Sequence, residues 1–135
     1  DCPPKGLTPF HTGCQTLCPD PLSVFDETSG AFMIHVLAQV ELNPGTREDF
    51  LAEFAKVAIL VRQEAGCIEY GAAVDTPTGI PVQNFIGETV VLIIEKWESV
   101  DHLKAHLVAP HMTDYRVRIK PFVQSVRLQV LEPRV

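Results

Sequence analysis

The chain has 135 residues, 46% hydrophobic and 21% charged, with a net charge of −6, which fits one soluble domain built on one core. Its 11 Lys and Arg are scattered, so no electrostatic footprint for nucleic acid is visible. No apolar run approaches the roughly 18 residues that span a bilayer, and the start of the chain lacks the basic and apolar regions of a secretory signal. These properties predict a cytoplasmic protein without nucleic-acid or membrane partners.

Residues 1–32 hold five of the eleven Pro, three of the four Cys and four of the seventeen acids. They show neither helical nor strand periodicity, so they read as an arm, a linker or a non-native leader rather than part of the core. The spacing of Cys2, Cys14 and Cys18 invites a metal or disulfide reading. The usual second ligand pair is missing, however, and only His11 lies nearby. A disulfide would need an oxidising compartment, which leaves free, mobile thiols as the expectation.

The domain expected over 33–135 begins with "MIHVLAQVEL" (33–42), which alternates Ile34, Val36, Ala38 and Val40 on one face of a half-buried strand. "NPGTREDF" then breaks the strand and starts a helix, with Thr46 as the expected cap and Asp49 in the first turn. Phe50, Phe54, Val57 and Val61 recur at helical spacing, Leu51 and Ala58 widen the stripe, and Gly66 is the natural stop. "CIEYGAAVD" (67–75) reads as a weak strand with Ile68, Tyr70 and Ala72 facing inward, and "TVVLIIEKWE" (89–98) as the strongest. Ser99 can cap a short helix through Leu107, with Val100, Leu103 and Leu107 facing inward. Pro110 ends that helix or opens another, and "FVQSVRLQVLE" (122–132) places Val126, Leu128 and Val130 on one side. The succession β-α-β-β-α-β predicts an α+β, ferredoxin-like split βαβ fold: a four-stranded antiparallel sheet with its helices on one face. The other face then needs a cover, and homodimerisation through it is the natural solution.

"EAGCIEY", "EKWES" and "HLKAHLVAPHM", in this order, resemble the antibiotic biosynthesis monooxygenase family, most closely its bacterial quinol monooxygenase branch. The resemblance runs from about Met33 to Pro133. It starts at a plausible initiator, which marks residues 1–32 as a lineage-specific extension or a mis-assigned upstream stretch. It implies a dimeric α+β barrel with a pocket between sheet and helices in each subunit. It also implies a monooxygenase acting with dioxygen on small electron-rich aromatics such as quinols, without metal, flavin or haem. Haem-degrading relatives use an Asn, a Trp and a His where this chain has Ala38, His106 and Arg116, so haem chemistry is disfavoured.

A quinol that has lost a proton can pass an electron to dioxygen. The protein must bind the ring, accept the proton and exclude water. His106 is the leading candidate base, facing the sheet one turn beyond Leu103. His111, after Pro110, can cap a helix or reach the pocket. Glu95, flanked by Ile93 and Ile94, is a proton acceptor or a paired structural carboxylate, since a buried carboxylate needs a partner. Trp97, on the same face, is a pocket wall or core filler. Tyr70 is core or a donor to a quinol oxygen, and Tyr115 and Arg116 are candidate mouth residues. His102 is expected to face water, which leaves H-x-x-x-H a poor metal site. His35 points to the dimer face, and Cys67 is a small buried residue. Two alternatives stand beside the oxygenase: a non-enzymatic, ligand-binding or stress-associated dimeric module, and an isomerase of a small phosphorylated carbonyl compound. The isomerase would need Lys104, Arg116 and Arg118 to converge on a phosphate.

Overall fold

A computed structural model of the chain describes residues 32–134. The expectations for Cys2, His11, Cys14 and Cys18, and for the arm apart from Phe32, lie outside the described residues. The elements are β1 (Ile34–Leu42), α1 (Arg47–Val61), β2 (Cys67–Ala73), β3 (Val90–Trp97), α2 (Val100–Leu107), α3 (Pro110–Ile119) and β4 (Val123–Leu131). The strands form one sheet in the order β2-β3-β1-β4, every neighbouring pair antiparallel. This is the predicted ferredoxin-like α+β fold. Among the described residues no helix is long and apolar enough to cross a membrane.

The second helical region is two helices rather than one. Pro110 occupies the first turn of α3, where its missing N–H costs nothing, and it holds Ala109 in an extended conformation (φ −64°, ψ 143°) that breaks the chain from α2.

Strand alternation builds the core. Ile34, Val36, Ala38, Val40 and Leu42 of β1 are all buried, while the residues between them are half-buried on the other face. Antiparallel partners share a face, so the register Ile34↔Trp97, Val36↔Glu95, Ala38↔Ile93 and Val40↔Val91 brings the matching residues of β3 to the same side. Phe50, Phe54, Val57, Ala58 and Val61 of α1 close over them. His35 points to the opposite face, beside Lys96 and Leu131.

Four local expectations are corrected. Thr46 does not cap α1 through its side chain; its hydroxyl donates to the Asn43 carbonyl (2.7 Å), and Glu48 and Asp49 supply the charge that suits a helix start. The helix ends at Val61, before Gly66, although Gly66 does adopt the left-handed φ of +82°. In α2 the buried pair is Leu103 and His106, with Val100 and Leu107 exposed. The inward face of this eight-residue helix centres one position away from the one that Val100 and Leu107 mark. In β2 a register shift between Cys67 and Glu69 leaves Ile68 exposed, and Ala72 is exposed too, so Tyr70 alone of the three is buried.

Candidate functional site

A carboxylate on the core face of a sheet must find a donor or lose its charge. Glu95 sits on that face between Val36 of β1 and Tyr70 of β2 and is only 5% exposed. Its donor is two residues along the same strand: Trp97 Nε1–H donates to Glu95 Oε2 at 2.7 Å. Burial still dominates. It pushes the Glu95 carboxyl up to about 7, with the Trp97 bond opposing and the charge of Glu64 adding to the rise.

His106 enters from α2 and is 2% exposed. Its ring packs against Trp97 (centroids 4.7 Å apart) and edge-on to Tyr70 (5.5 Å). Its Nδ1 lies 3.1 and 3.2 Å from the two oxygens of Glu64, in the turn that follows α1. An ionised carboxylate only accepts, so Nδ1 carries the proton and Nε2 is left as the acceptor of a neutral imidazole. Burial lowers the His106 pKa, against the hydrogen bond and charge of Glu64, which raise it; the positive charges of His111 and Arg116 add to the fall.

Glu64 holds a second imidazole. His111 Nε2 lies 2.5 Å from the same Oε2, so one carboxylate ties the first turn of α3 to α2. The turn carrying Glu64 is itself docked on α2. The Glu98 N–H donates to the Gly66 carbonyl (2.8 Å), and a Cβ placed on Gly66 would fall 2.2 Å from Cγ of the His102 ring. His102 is therefore not a water-facing side chain: it is half-buried against Gly66, with Nδ1 2.8 Å from Ser99 Oγ. Ser99 caps α2 as expected, accepting the His102 backbone N–H.

Between the helices and the sheet lies a cavity of about 430 Å³, within the size range of small-molecule sites. Its buried end carries Tyr70, Glu95, His106 and Tyr115, none more than 5% exposed. Its walls are apolar, including Phe50, Ile93 and Met112, and its open rim includes Arg116, Lys120, Val126 and Leu128. Burial, helped by the charge of Glu95, raises the Tyr70 phenol far above its ordinary value, and burial does the same for Tyr115. Both stay protonated and can donate. Among the described residues no group of three or more His, Cys, Asp or Glu is placed to hold a metal ion.

Glu95, His106, Tyr70, Tyr115 and Arg116 thus line one cavity, with Arg116 at the rim and Tyr115, expected at the mouth, at the buried end instead. Trp97 and His111 do not line it. Trp97 is wholly buried behind the lining, opposite Ile34 at the end of the strand, and reaches the cavity only through Glu95 and His106. His111 is turned towards Glu64. Glu64 is the residue that sequence reasoning missed. Its one signal was indirect: a histidine on the inward face of a helix needs a partner. Cys67 is half-buried, and burial raises its thiol pKa, which keeps it a poor nucleophile. Lys104 and Arg118 do not join Arg116 at the cavity; Arg118 pairs with Glu53 instead (2.7 Å).

Residues 33–118 match the family model described as antibiotic biosynthesis monooxygenase. The chain is 36% identical over 105 residues to "Probable quinol monooxygenase YgiN" of Escherichia coli K12, covering 76% of this chain and all of that protein. Its fold is shared with the solved structures of PA3566 from Pseudomonas aeruginosa and Rv0793 from Mycobacterium tuberculosis. The first has a TM-score of 0.65 at 20% identity, covering 77% of this chain and 96% of the other. The second has a TM-score of 0.63 at 21% identity, covering 76% and 96%. The match of the family model across most of the folded region, together with the 36% identity over the full length of a curated relative, places this chain in the antibiotic biosynthesis monooxygenase family.

Proposed function

We propose that the protein is a cytoplasmic oxygenase that uses dioxygen to hydroxylate quinols or similar electron-rich hydroxyaromatics. The observation that carries this reading is the state of His106. It is buried, its Nδ1 proton is held by Glu64, and its Nε2 is an acceptor with no partner among the described residues, at the end of the cavity where Glu95 also lies.

In this reading the ring of the substrate lies between Phe50, Ile93 and Met112, and a hydroxyl reaches the buried end. His106 Nε2 takes the hydroxyl proton as general base, with the resulting imidazolium stabilised by Glu64. Tyr70 donates to the second oxygen. The quinolate passes one electron to dioxygen, giving a semiquinone and superoxide that combine as a ring hydroperoxide. Loss of water leaves a hydroxyquinone, so quinol and dioxygen become hydroxyquinone and water. Glu95 is a second proton acceptor for the other hydroxyl. Trp97 and His111 act as positioning residues through Glu95 and Glu64. The apolar walls limit water at the radical pair.

Homodimerisation through the open sheet face belongs to the same proposal. Leu37, Leu92 and Ile94 lie there, half-buried in the single chain, and a second copy would complete their cover.

The test is oxygen uptake by the full chain with a reduced naphthoquinol, autoxidation subtracted. Saturable uptake is expected, with kcat falling about 100-fold in His106→Ala and folding checked by circular dichroism. Uptake no faster than autoxidation across several quinols, from a protein that still binds hydroxyaromatics, would replace this reading with that of a binding module.

A further inference from the structure

The rim of the cavity has a charge that the rest of the protein does not predict. The chain carries a net charge of −6, yet the charged residues at the rim are Arg116 and Lys120, both cationic. They are four residues apart on α3 and its C-terminal end, so they share a helix face. Four cations elsewhere pair with acids, Lys56 and Arg118 with Glu53, Lys96 with Glu69, and Arg134 with Glu132, while Arg47, Arg62, Lys104 and Arg127 do not but lie away from the cavity lining. Among the described residues neither Arg116 nor Lys120 forms an ion pair. Arg116 is instead braced by donating Nη2–H to the Leu107 carbonyl at 2.6 Å, which leaves further guanidinium donors unused. The one acid in the lining, Glu95, is at the buried end. Between the two ends run apolar walls that include Phe50, Ile93 and Met112.

A ligand matching both ends has a flat apolar body, a hydroxyl at one end and an anionic group at the other. We propose that the cavity takes hydroxyaromatic acids, with the acidic substituent on Arg116 and Lys120 and the hydroxyl beside His106 and Glu95, and that the two cations select such acids over neutral aromatics. This deepens the hydroxyaromatic reading above and rests on it. Arg116 and Lys120 are specificity residues in this assignment, with no part in proton transfer. The two cations are solvent-facing, so each contact is screened and modest.

The test compares two ligands that differ only in the carboxylate, 6-hydroxy-2-naphthoate and 2-naphthol, titrated into the full chain by calorimetry. Neither needs turnover. The naphthoate is expected to bind about tenfold more tightly, with the gap shrinking as ionic strength rises. The Arg116→Gln/Lys120→Gln double variant should bind both alike, at the wild-type affinity for naphthol. Because Arg116 also braces Leu107, Lys120→Gln alone serves as a second variant, expected to lose part of the preference. Equal binding by the wild type, or a preference that survives the double variant, overturns the anionic class and leaves the oxygenase reading intact. Failure of both ligands to bind overturns both. Tight, selective binding without oxygen uptake from a naphthoquinol supports the anionic class and sinks the oxygenase.

Discussion

Ala38 has a neighbour on each side in the sheet, Ile93 on β3 and Leu128 on β4, and the two meet different fates. Ile93 is 4% exposed and Leu128 is 48% exposed, although all three point to the same face. The same holds one step along, where Val36 separates Glu95 from Val130. Ile93 and Leu128 are both large apolar residues in phase with that face, so their place in the pattern does not explain the difference. Helix cover does. The helices close over β1 and β3 and leave β4 as a half-open edge, and the boundary between covered and uncovered sheet is the cavity. Burial on one side shifts the pKa values of Glu95 and His106, while exposure on the other leaves the cavity open.

The largest effect should come from the matched pair itself. Ile93→Ala is expected to cost about 3 kcal/mol in urea unfolding, and Leu128→Ala under about 1 kcal/mol. Equal costs would break the comparison. A gap that stays constant as protein concentration rises would sharpen it, since a second copy on the open face of the sheet would not reach Leu128.

Trp97→Phe keeps most of the apolar volume but strips Glu95 of its donor, and should cost about 2 kcal/mol. It should also push the Glu95 carboxyl higher still, because the Trp97 bond is what opposes the effect of burial.

Glu95→Gln tests the covered side by its pH dependence. The carboxyl titrates near 7 in the folded chain against an ordinary 4.5, so across that window the folded state holds more protons than the unfolded one. Stability therefore falls as pH rises through it. Gln cannot titrate, so the variant should lose this slope and gain about 2 kcal/mol over the wild type above the window. If Glu95 also accepts a proton in turnover, the limb of kcat/KM that rises towards pH 7 disappears with it. An unchanged stability slope would mean that the carboxyl is better solvated than its position implies.

The smallest effect is expected at Glu64. Gln can still accept the His106 Nδ1 proton but cannot stabilise an imidazolium by charge, so Glu64→Gln should lower kcat about tenfold with little change in KM.

The strands, α1 and the faces that β1, β3 and β4 would present were legible in the sequence, because period-two and helical stripes are local signals; in β2 the register shift after Cys67 turned Ile68 outward. Glu95 was legible for the same reason, being an acid in phase with Ile93 and Trp97. Glu64 was not. It follows the last turn of α1 with no periodic role of its own, and its partners His106 and His111 lie 42 and 47 residues away. The fate of Trp97 was half legible: alternation gave its face, but only the register with Ile34 shows that it lies beyond the cavity. Val100 and Leu107 were misjudged because two apolar residues seven apart do not fix the inward face of an eight-residue helix. The exposure of Val126, Leu128 and Val130 depends on how far the helices reach across the sheet, which no residue of β4 encodes.

Gly66 bears on the site without belonging to it. Its bare α-carbon is the clearance that lets the turn bearing Glu64 seat flush against α2, under the ring of His102. The span between carboxylate and imidazole is thus gauged by how closely two pieces of backbone nest, not by the reach of either side chain. A single methyl group there would act as a shim, loosening the hold of Glu64 on the His106 imidazole from outside the cavity.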